Sequence, residues 1–537
     1  MTTPRRNPAE VVDAVVIGGG HHGLVAASVL ADAGWDVLVL EAEDEVGGAV
    51  RSTTRHPGFV ADRFSAFYPL AAASPALRSL ELEQHGLRWS HAPAVLAHPI
   101  AADSAEAAVL HRDPLETAAG LDRAHPGDGQ AWLELYERWL RIEDSFLATL
   151  FSAFPPVRGP LALLRSIGTA EALRLARFAL LPATRMGEEL FGGEAARLLL
   201  AGNTAHADAP LTAPVSGVYG WMLAMLGQHH GFPVPVGGAG ELSAALARRA
   251  RAAGVTIRTG APVARIVVRG GRAVAVDTEG GARIRVRRAV VADVSAPALY
   301  SRLLPRDAVP ARIHDDLLRF TWDTPVVKID WALSEPIPWR AKDVSTAGTV
   351  HVGADVAGLV RWNADLDTDV LPQSPFLLIG QMTTADPTRS PAGTESAWSY
   401  THMPRGATGT ERADELARRA EAVVEAYAPG FRDRILHRFV ARPEDLERAD
   451  ANLGQGAVNG GTAQLFQQLV FRPVPGLGRA ETPVENVYLG SAAAHPGGGV
   501  HGVCGLLAAR AALTDHGWGG GVKRRLTSAA LTVVHGR

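Results

Sequence analysis

The sequence predicts an α/β fold whose parallel sheet is gathered from three separate stretches of chain, with an α+β domain inserted between them. Three observations carry this. A strand–turn–helix–strand unit opens the chain at Val12–Leu40, a second apolar run Val290-Val291-Ala292 returns to it in mid-chain, and Asn486-Val-Tyr-Leu-Gly490 supplies a third. Parallel strands covered on both faces read as unbroken apolar runs, and these do.

In the first unit, Val12–Ile17 is the strand, and the turn after it carries Gly18, Gly20 and Gly23 at GxGxxG spacing. Such glycines permit the tight turn, let backbone approach a pyrophosphate, and let the following helix pack closely on the strand. The helix predicted from His21 to Ala33 aims its free N–H groups and positive dipole end at phosphate, and Gly34 ends it. A second strand, Trp35–Leu40, delivers Glu41, placed to accept the hydroxyls of an adenosine ribose; that acid argues against a 2′-phosphate and so against NADP here. Gly19, His22 and Ala42 fall inside the same frame. Gly47-Gly48 and Arg51-Ser52 follow, a glycine pair and a cation soon after the ribose acid.

Toward the other end, Gly490 is followed by Ala494-His-Pro-Gly-Gly-Gly-Val-His-Gly502, which opens an Ala/Leu-rich helix running to about Leu513. The consecutive glycines Gly497, Gly498 and Gly499, with Val500, mean close backbone approach to a flat or anionic ligand.

The glycine pair and arginine resemble the extended FAD-binding signature of glutathione-reductase-type flavoproteins. Joined to the C-terminal NxYLG and HPGGGxxG, the pattern is similar to that of the phytoene-desaturase-type FAD-dependent oxidoreductases. That group holds carotenoid desaturases, ketolases of the same fold, and a branch named for a pyridine nucleotide-disulphide oxidoreductase domain, which this chain resembles most. The resemblance implies a Rossmann-like FAD-binding domain of the glutathione-reductase type, discontinuous over 1–75, 230–300 and 481–515, with an inserted α+β substrate domain over 76–229 and 301–480. It also implies that Val263 offers its backbone to the adenine. FAD is then the cofactor, and residues 516–537 read as a flexible basic tail.

The middle segment fits. Val234-Pro-Val-Gly-Gly-Ala-Gly-Glu-Leu242 starts a helix that Gly254 ends, and short strands follow at Val255–Arg258, Val263–Val268, Ala273–Asp277 and Arg283–Arg288 before Val290–Asp293. Within the inserts, helices are predicted near Gly129–Leu150, Thr169–Leu181, Gly193–Asn203 and Ala413–Ala428, and strands near Pro325–Trp331 and Pro375–Met382.

Composition bounds the rest. A chain of 537 residues, 47% hydrophobic, has ample core for two domains, and a net charge of −3 gives no case for nucleic acid. Cys504 is the only cysteine, which excludes a disulphide framework, a CxxC redox pair and a cysteine-based metal site. No spanning apolar run and no signal-peptide pattern is found, so the chain reads as cytoplasmic, soluble or attached peripherally to a membrane. Val157–Met186 bears on the last point: Arg158, Arg165, Arg174, Arg177 and Arg185 stand against the single acid Glu171, among leucines and alanines at near-helical spacing. Such a helix can lie on a membrane surface, or simply pack its apolar side on the domain.

Among the histidines, His495 and His501 flank the triple glycine and are the candidates to orient substrate or stabilise a reduced flavin. His229-His230 has no third ligand at metal spacing in the sequence, so no metal site is expected, and His402 reads as structural. Carotenoid desaturases continue after the arginine with an acid, any residue and a glycine; here Ala61-Asp-Arg-Phe-Ser-Ala-Phe-Tyr68 lacks that glycine. Phe64, Phe67 and Tyr68 are either an apolar pocket wall or plain core.

Three functions are consistent with this. The first is dehydrogenation of an apolar or amphipathic small molecule, an isoprenoid or secondary metabolite, by hydride transfer to flavin N5, with electrons passed on to oxygen, a quinone or another acceptor. The second is a flavin amine oxidase or a ketolase-like oxygenating enzyme. The third, a non-enzymatic prenyl-protein carrier, conflicts with an intact dinucleotide motif. No second strand–GxGxxG–helix unit occurs, which disfavours direct use of a nicotinamide cofactor.

Overall fold

A computed structural model describes residues 10–406 and 409–535, apart from the side chain of Ser528. Two large sheets organise it. In the first, parallel strands run in the order Val487–Leu489, Arg283–Ala292, Glu10–Ile17, Val37–Leu40, Thr256–Arg258. Three distant stretches of chain thus close one sheet. Alternate residues face opposite ways, and both sides are covered. Ala14, Val16, Val37, Val39, Ala289 and Val291 pack with the alanines and Leu30 of the first helix, His21–Asp32, and with Ala508, Ala509 and Ala512 of the helix Val503–His516. Val15, Ile17, Leu38, Leu40 and Val290 meet Ile266, Val276, Leu299 and Tyr300 on the other side.

One element departs from its prediction. The two strands expected over Arg283–Arg288 and Val290–Asp293 are a single strand, Arg283–Ala292, that changes neighbours midway. Its first half pairs antiparallel with Arg272–Thr278, and its second half pairs parallel with Val487–Leu489. The pattern shifts from alternating arginines to continuous valines because the first half is half-exposed and the second fully covered.

The second sheet is mostly antiparallel, in the order Ile435–Ala441, Val326–Leu333, Glu395–His402, Leu377–Gln381, Ala347–Val352, Ala94–Pro99, Ala107–Leu110. Its last two strands come from the earlier insert, so the two inserted segments share one sheet. The helices Asp128–Leu150, Arg158–Leu180 (broken in two by a kink at Gly168, φ 77°), Ala183–Leu190, Glu194–Thr204 and Ser216–His230 pack around fully buried Trp132, Trp139 and Trp221.

The expected flexible tail takes a different form: Gly520–His535 is a helix. Two of its basic residues have partners, Lys523 with Glu481 and Asp515 and Arg524 with Glu485, which the sequence spacing does not reveal. No helix of the described residues is long and apolar enough to cross a membrane.

Candidate functional site

The helices His21–Asp32 and Val503–His516 start side by side, with the glycine turn between them. This turn is tight against its surroundings. A methyl group on Gly23 would lie 2.2 Å from the Gly18 carbonyl oxygen, and one on Gly20 would lie 2.7 Å from a carboxyl oxygen of Asp293. Gly47 N–H donates to the Gly19 carbonyl (2.8 Å), which lays the second glycine pair against the first turn. Glu41, at the end of Val37–Leu40, accepts from Gly19 N–H (2.6 Å) and Glu43 N–H (2.9 Å), and Ala42 beside it is exposed. Its carboxyl is raised above the usual range by burial, against the pull of those two N–H groups. Ala261 N–H bonds the Glu41 carbonyl (2.8 Å), so the strand that starts at Val263 begins next to the ribose acid.

Arg51 is buried and braces this end rather than standing free. Its Nε donates to the Gly48 carbonyl (2.9 Å) and Nη2 to the Ala449 carbonyl (2.5 Å), with Glu45 at 3.7 Å. On the opposite side, Gly490 N–H bonds Ala292 (2.9 Å), and Gly498, Gly499, Val500 and His501 run along the same cleft as Gly20, His21, His22 and Gly48.

The cleft is a single cavity of about 430 Å³ that is lined by the glycine turns, with Gly20, Gly48, Gly498 and Gly499, as well as by the residues beyond them, so bound FAD and a substrate would share it. Its walls come from several separate segments. Phe64 and Phe67 line it, as does fully buried Tyr68, whose hydroxyl donates to Ser65 O (3.0 Å); these aromatics are wall and core at once. Tyr219, Met222 and Leu223 enter from the helix Ser216–His230, and Leu150 and Phe151 from the end of Asp128–Leu150. Trp398 and Tyr400, two apart on one strand, present near-parallel rings 6.0 Å apart at 8°. Lys328 also lines the cavity, paired with Asp330, its Nζ 5.7 Å from the Trp398 ring centre. Buried Arg472 spends its guanidinium on carbonyls of Asn459, Thr462 and Ala492, which holds the 458–463 wall together with Asp323, acceptor of Val458, Asn459 and Gly461 N–H.

The two candidate catalytic histidines occupy different settings. His501 accepts from Val503 N–H at Nδ1 (3.0 Å), so the proton sits on Nε2, which donates to Gly497 O (3.2 Å). Neither nitrogen is left for a substrate. Burial first, then His21, lowers its pKa to about 3, so it is neutral at physiological pH. His495 is held by Ser152 O (3.1 Å), outside the residues lining the cavity, and burial lowers it to about 4. His22 is the contrary case: fully buried, close to His501 (ring centres 5.1 Å), with both ring nitrogens lacking a partner.

Three residues escaped the sequence reading. Asp293 ends the strand Arg283–Ala292, and its Oδ2 accepts Gly23 N–H (2.8 Å); burial pushes its carboxyl up to about 8. An acid closing an apolar strand beside a glycine turn was the available signal. Asp450, raised by burial, and Asn452, bonded to Asp293 O (3.1 Å), reach the turn from an irregular stretch of the insert, where no motif marks them. His229-His230, lacking a third ligand in sequence, meets Glu143 across 86 residues.

A dinucleotide cradle opening into an aromatic chamber defines a nucleotide-cofactor oxidoreductase, with the organic substrate set against the cofactor's reactive end. Residues 23–513 match the flavin-containing amine oxidoreductases, and the chain belongs to that family. It is 28% identical over 94% of its length, and 93% of the relative's, to pyridine nucleotide-disulfide oxidoreductase domain-containing protein 2 of Rattus norvegicus. It is 26% identical over 94% of both chains to the neurosporene-forming phytoene desaturase of Cereibacter sphaeroides. In fold it is similar to cyclohexylamine oxidase from Brevibacterium oxydans, with TM-score 0.58, 18% identity, and 93% and 98% of the two chains covered.

The protein is an FAD-dependent oxidoreductase. Its residues fit the cofactor: the cradle has room only where glycines leave it, Glu41 at the end of its strand would take the ribose hydroxyls, and both ring nitrogens of buried His22 lack a hydrogen-bond partner. Bound FAD supplies the acceptor for the substrate's two electrons. With FAD bound, the chain's part would be to hold the pyrophosphate at the two helix starts and to exclude water with the apolar walls.

Proposed function

We propose that this enzyme dehydrogenates an apolar or amphipathic small molecule of the isoprenoid or secondary-metabolite type. The observation that carries the reading is the chamber wall, built of Phe64, Phe67, Met222, Leu223 and Trp398. Its cations are already engaged, Lys328 by Asp330 and Arg472 by backbone carbonyls, which leaves an apolar surface as the main recognition element. Bound FAD would take a hydride from the substrate at flavin N5 while a proton leaves to solvent or a nearby base, leaving a double bond, and oxygen or a quinone would then accept the two electrons. In the glutathione-reductase-type orientation, Glu41 and Val263 would hold the adenosine end of the cofactor.

Amine oxidation is the second reading, supported by the parallel Trp398–Tyr400 rings, which offer an aromatic face to an amine-bearing carbon. We also infer peripheral membrane contact through 157–186. Leu161, Leu164, Leu173 and Leu180 are exposed on this helix, which follows Leu150 and Phe151 of the chamber wall. A lipid-soluble substrate then enters from the bilayer.

The test is anaerobic mixing of the FAD-loaded protein with isoprenoid hydrocarbons and alcohols, with primary and secondary amines, and with NADH and NADPH. Flavin bleaching by an isoprenoid, with a product two hydrogens lighter, is the expected result. Bleaching by amines alone, with an aldehyde or imine product, replaces it with the second reading. Reduction by NADPH alone overturns both.

A further inference from the structure

Glu143 is a buried carboxylate with no lysine or arginine paired to it among the described residues. It sits on the inner side of the helix Asp128–Leu150 and faces the last turn of Ser216–His230. Its two oxygens are taken by two imidazoles: Oε2 meets Nδ1 of His229 at 2.6 Å, and Oε1 meets Nε2 of His230 at 2.7 Å. Burial works against the carboxylate's charge, and the two histidines more than offset it, holding Glu143 below the usual range. Two nitrogens and one carboxylate oxygen lie within 4.8 Å of one another.

We propose that Glu143, His229 and His230 bind a divalent transition-metal ion of the zinc class. The donor set is that of a three-ligand zinc site, two imidazoles and a carboxylate, with a fourth position for water. That position is reachable, since the His229 side chain is 40% exposed and that of His230 22%. Metal–ligand lengths of about 2.0–2.2 Å place tetrahedral ligands roughly 3.3 Å apart, so the present contacts open by about 0.6 Å when an ion enters. In the metal-free state the facing nitrogens carry the protons that join them to the carboxylate. When an ion binds, each of these protons moves to the far ring nitrogen, Nε2 of His229 and Nδ1 of His230, so both imidazoles stay neutral and turn a lone pair to the ion.

The surroundings hold the ligands in place. The histidine rings stack on each other with centres 4.4 Å apart, and the Tyr136 ring meets His229 edge-on at 6.4 Å. His91 donates from Nε2 to the His230 carbonyl (3.2 Å). One residue earlier, Gln228 is tied on both sides: it accepts from Trp132 Nε1 (2.9 Å) and donates to His111 O (2.6 Å). The C-terminal end of a helix also favours a cation.

The site joins two chamber walls. The helix it ends carries Tyr219, Met222 and Leu223, and the helix that supplies Glu143 runs on to Leu150 and Phe151. An ion here ties the two together from outside the cavity, whatever substrate the chamber takes.

The test uses the full FAD-loaded protein, treated with a chelator and then titrated with zinc chloride by calorimetry and with cobalt chloride in the visible. One ion per chain is expected, with cobalt d–d bands of a low-coordinate nitrogen–oxygen site and a thermal midpoint raised by zinc. Glu143→Gln and, separately, His229→Gln are each expected to weaken binding at least about a hundredfold and to abolish the zinc-dependent rise in midpoint. His229 is at the surface, so its variant keeps the fold and the flavin spectrum. Absence of stoichiometric binding in the native chain overturns the proposal, as does binding that persists unchanged in both variants.

Discussion

Replacing Gly505 with alanine would place a methyl carbon 1.9 Å from the carbonyl oxygen of His22. Ordinary contact begins at 3.4 Å, so the new atom is short by about 1.5 Å. The obstacle is backbone in the first turn of His21–Asp32, and no rotamer change removes it. The two helices approach this closely because their facing residues are small: Ala26, Ala27, Ala508, Ala509 and Ala512 are all fully buried. Relief requires the helix starts to separate by more than an ångström, at the ends that converge on the pyrophosphate. Overpacking of a filled core costs about 1–3 kcal/mol, and an immovable neighbour puts this case at the upper end. The expected outcome is a lower unfolding temperature together with partial loss of FAD. The assay is the flavin-to-protein absorbance ratio after gel filtration, followed by flavin-fluorescence unfolding. Gly521→Ala, with nothing within 4 Å of the added carbon, is the control. A Gly505→Ala protein as fully loaded and as stable as that control would refute the close packing of the two helices.

Two further outcomes are expected. Asp293 is raised from 3.8 to about 8 by burial, so the folded cofactor-free protein keeps a proton that the unfolded chain gives up. Its contribution to stability is therefore complete below about pH 4 and is lost as pH rises toward 8. Unfolding temperatures of the apoprotein measured from pH 5 to pH 8 should fall, and Asp293→Asn, which still accepts from Gly23 N–H, should flatten the curve; an unchanged slope sinks the assignment. On the helix Arg158–Leu180, Arg174 and Arg177 are paired with Glu171 and Glu189, whereas Arg158 and Arg165 have no carboxylate partner among the described residues. Flotation with anionic vesicles should exceed that with neutral ones and drop in Arg158→Glu/Arg165→Glu; equal flotation throughout rules out electrostatic docking.

What the sequence made legible is local. Strand, glycine turn, helix and ribose acid lie within Val12–Glu41, and the forces that shape them act over a few residues, so spacing alone placed them. Asp293 was half-visible as the last residue of a buried run. The partners of Glu143 and the engagement of Arg472 were not visible, because they depend on contacts between separate segments; the tautomer of His501, set by Val503 N–H two residues on, depends on a local backbone geometry that spacing does not give. The tail was misread for a related reason: a glycine cluster followed by lysine and arginines looks unstructured until Glu481, Glu485 and Asp515 are placed beside it.

The division between what was legible and what was not follows the division of labour in the molecule. A dinucleotide is recognised mainly through backbone N–H groups, a helix terminus and one acid, all of which a short motif can encode. The chamber is recognised through side chains drawn from at least five segments that share no motif, among them Phe64, Met222, Trp398 and Leu446. Because the flavin carries the redox chemistry, those side chains are free to change without disturbing the cradle, and a family can keep one signature while its members oxidise amines or desaturate polyenes. The sequence therefore fixes the cofactor well before it fixes the substrate. Trp398 and Tyr400 in the chamber wall are therefore the side chains whose exchange would alter substrate choice without touching the cradle.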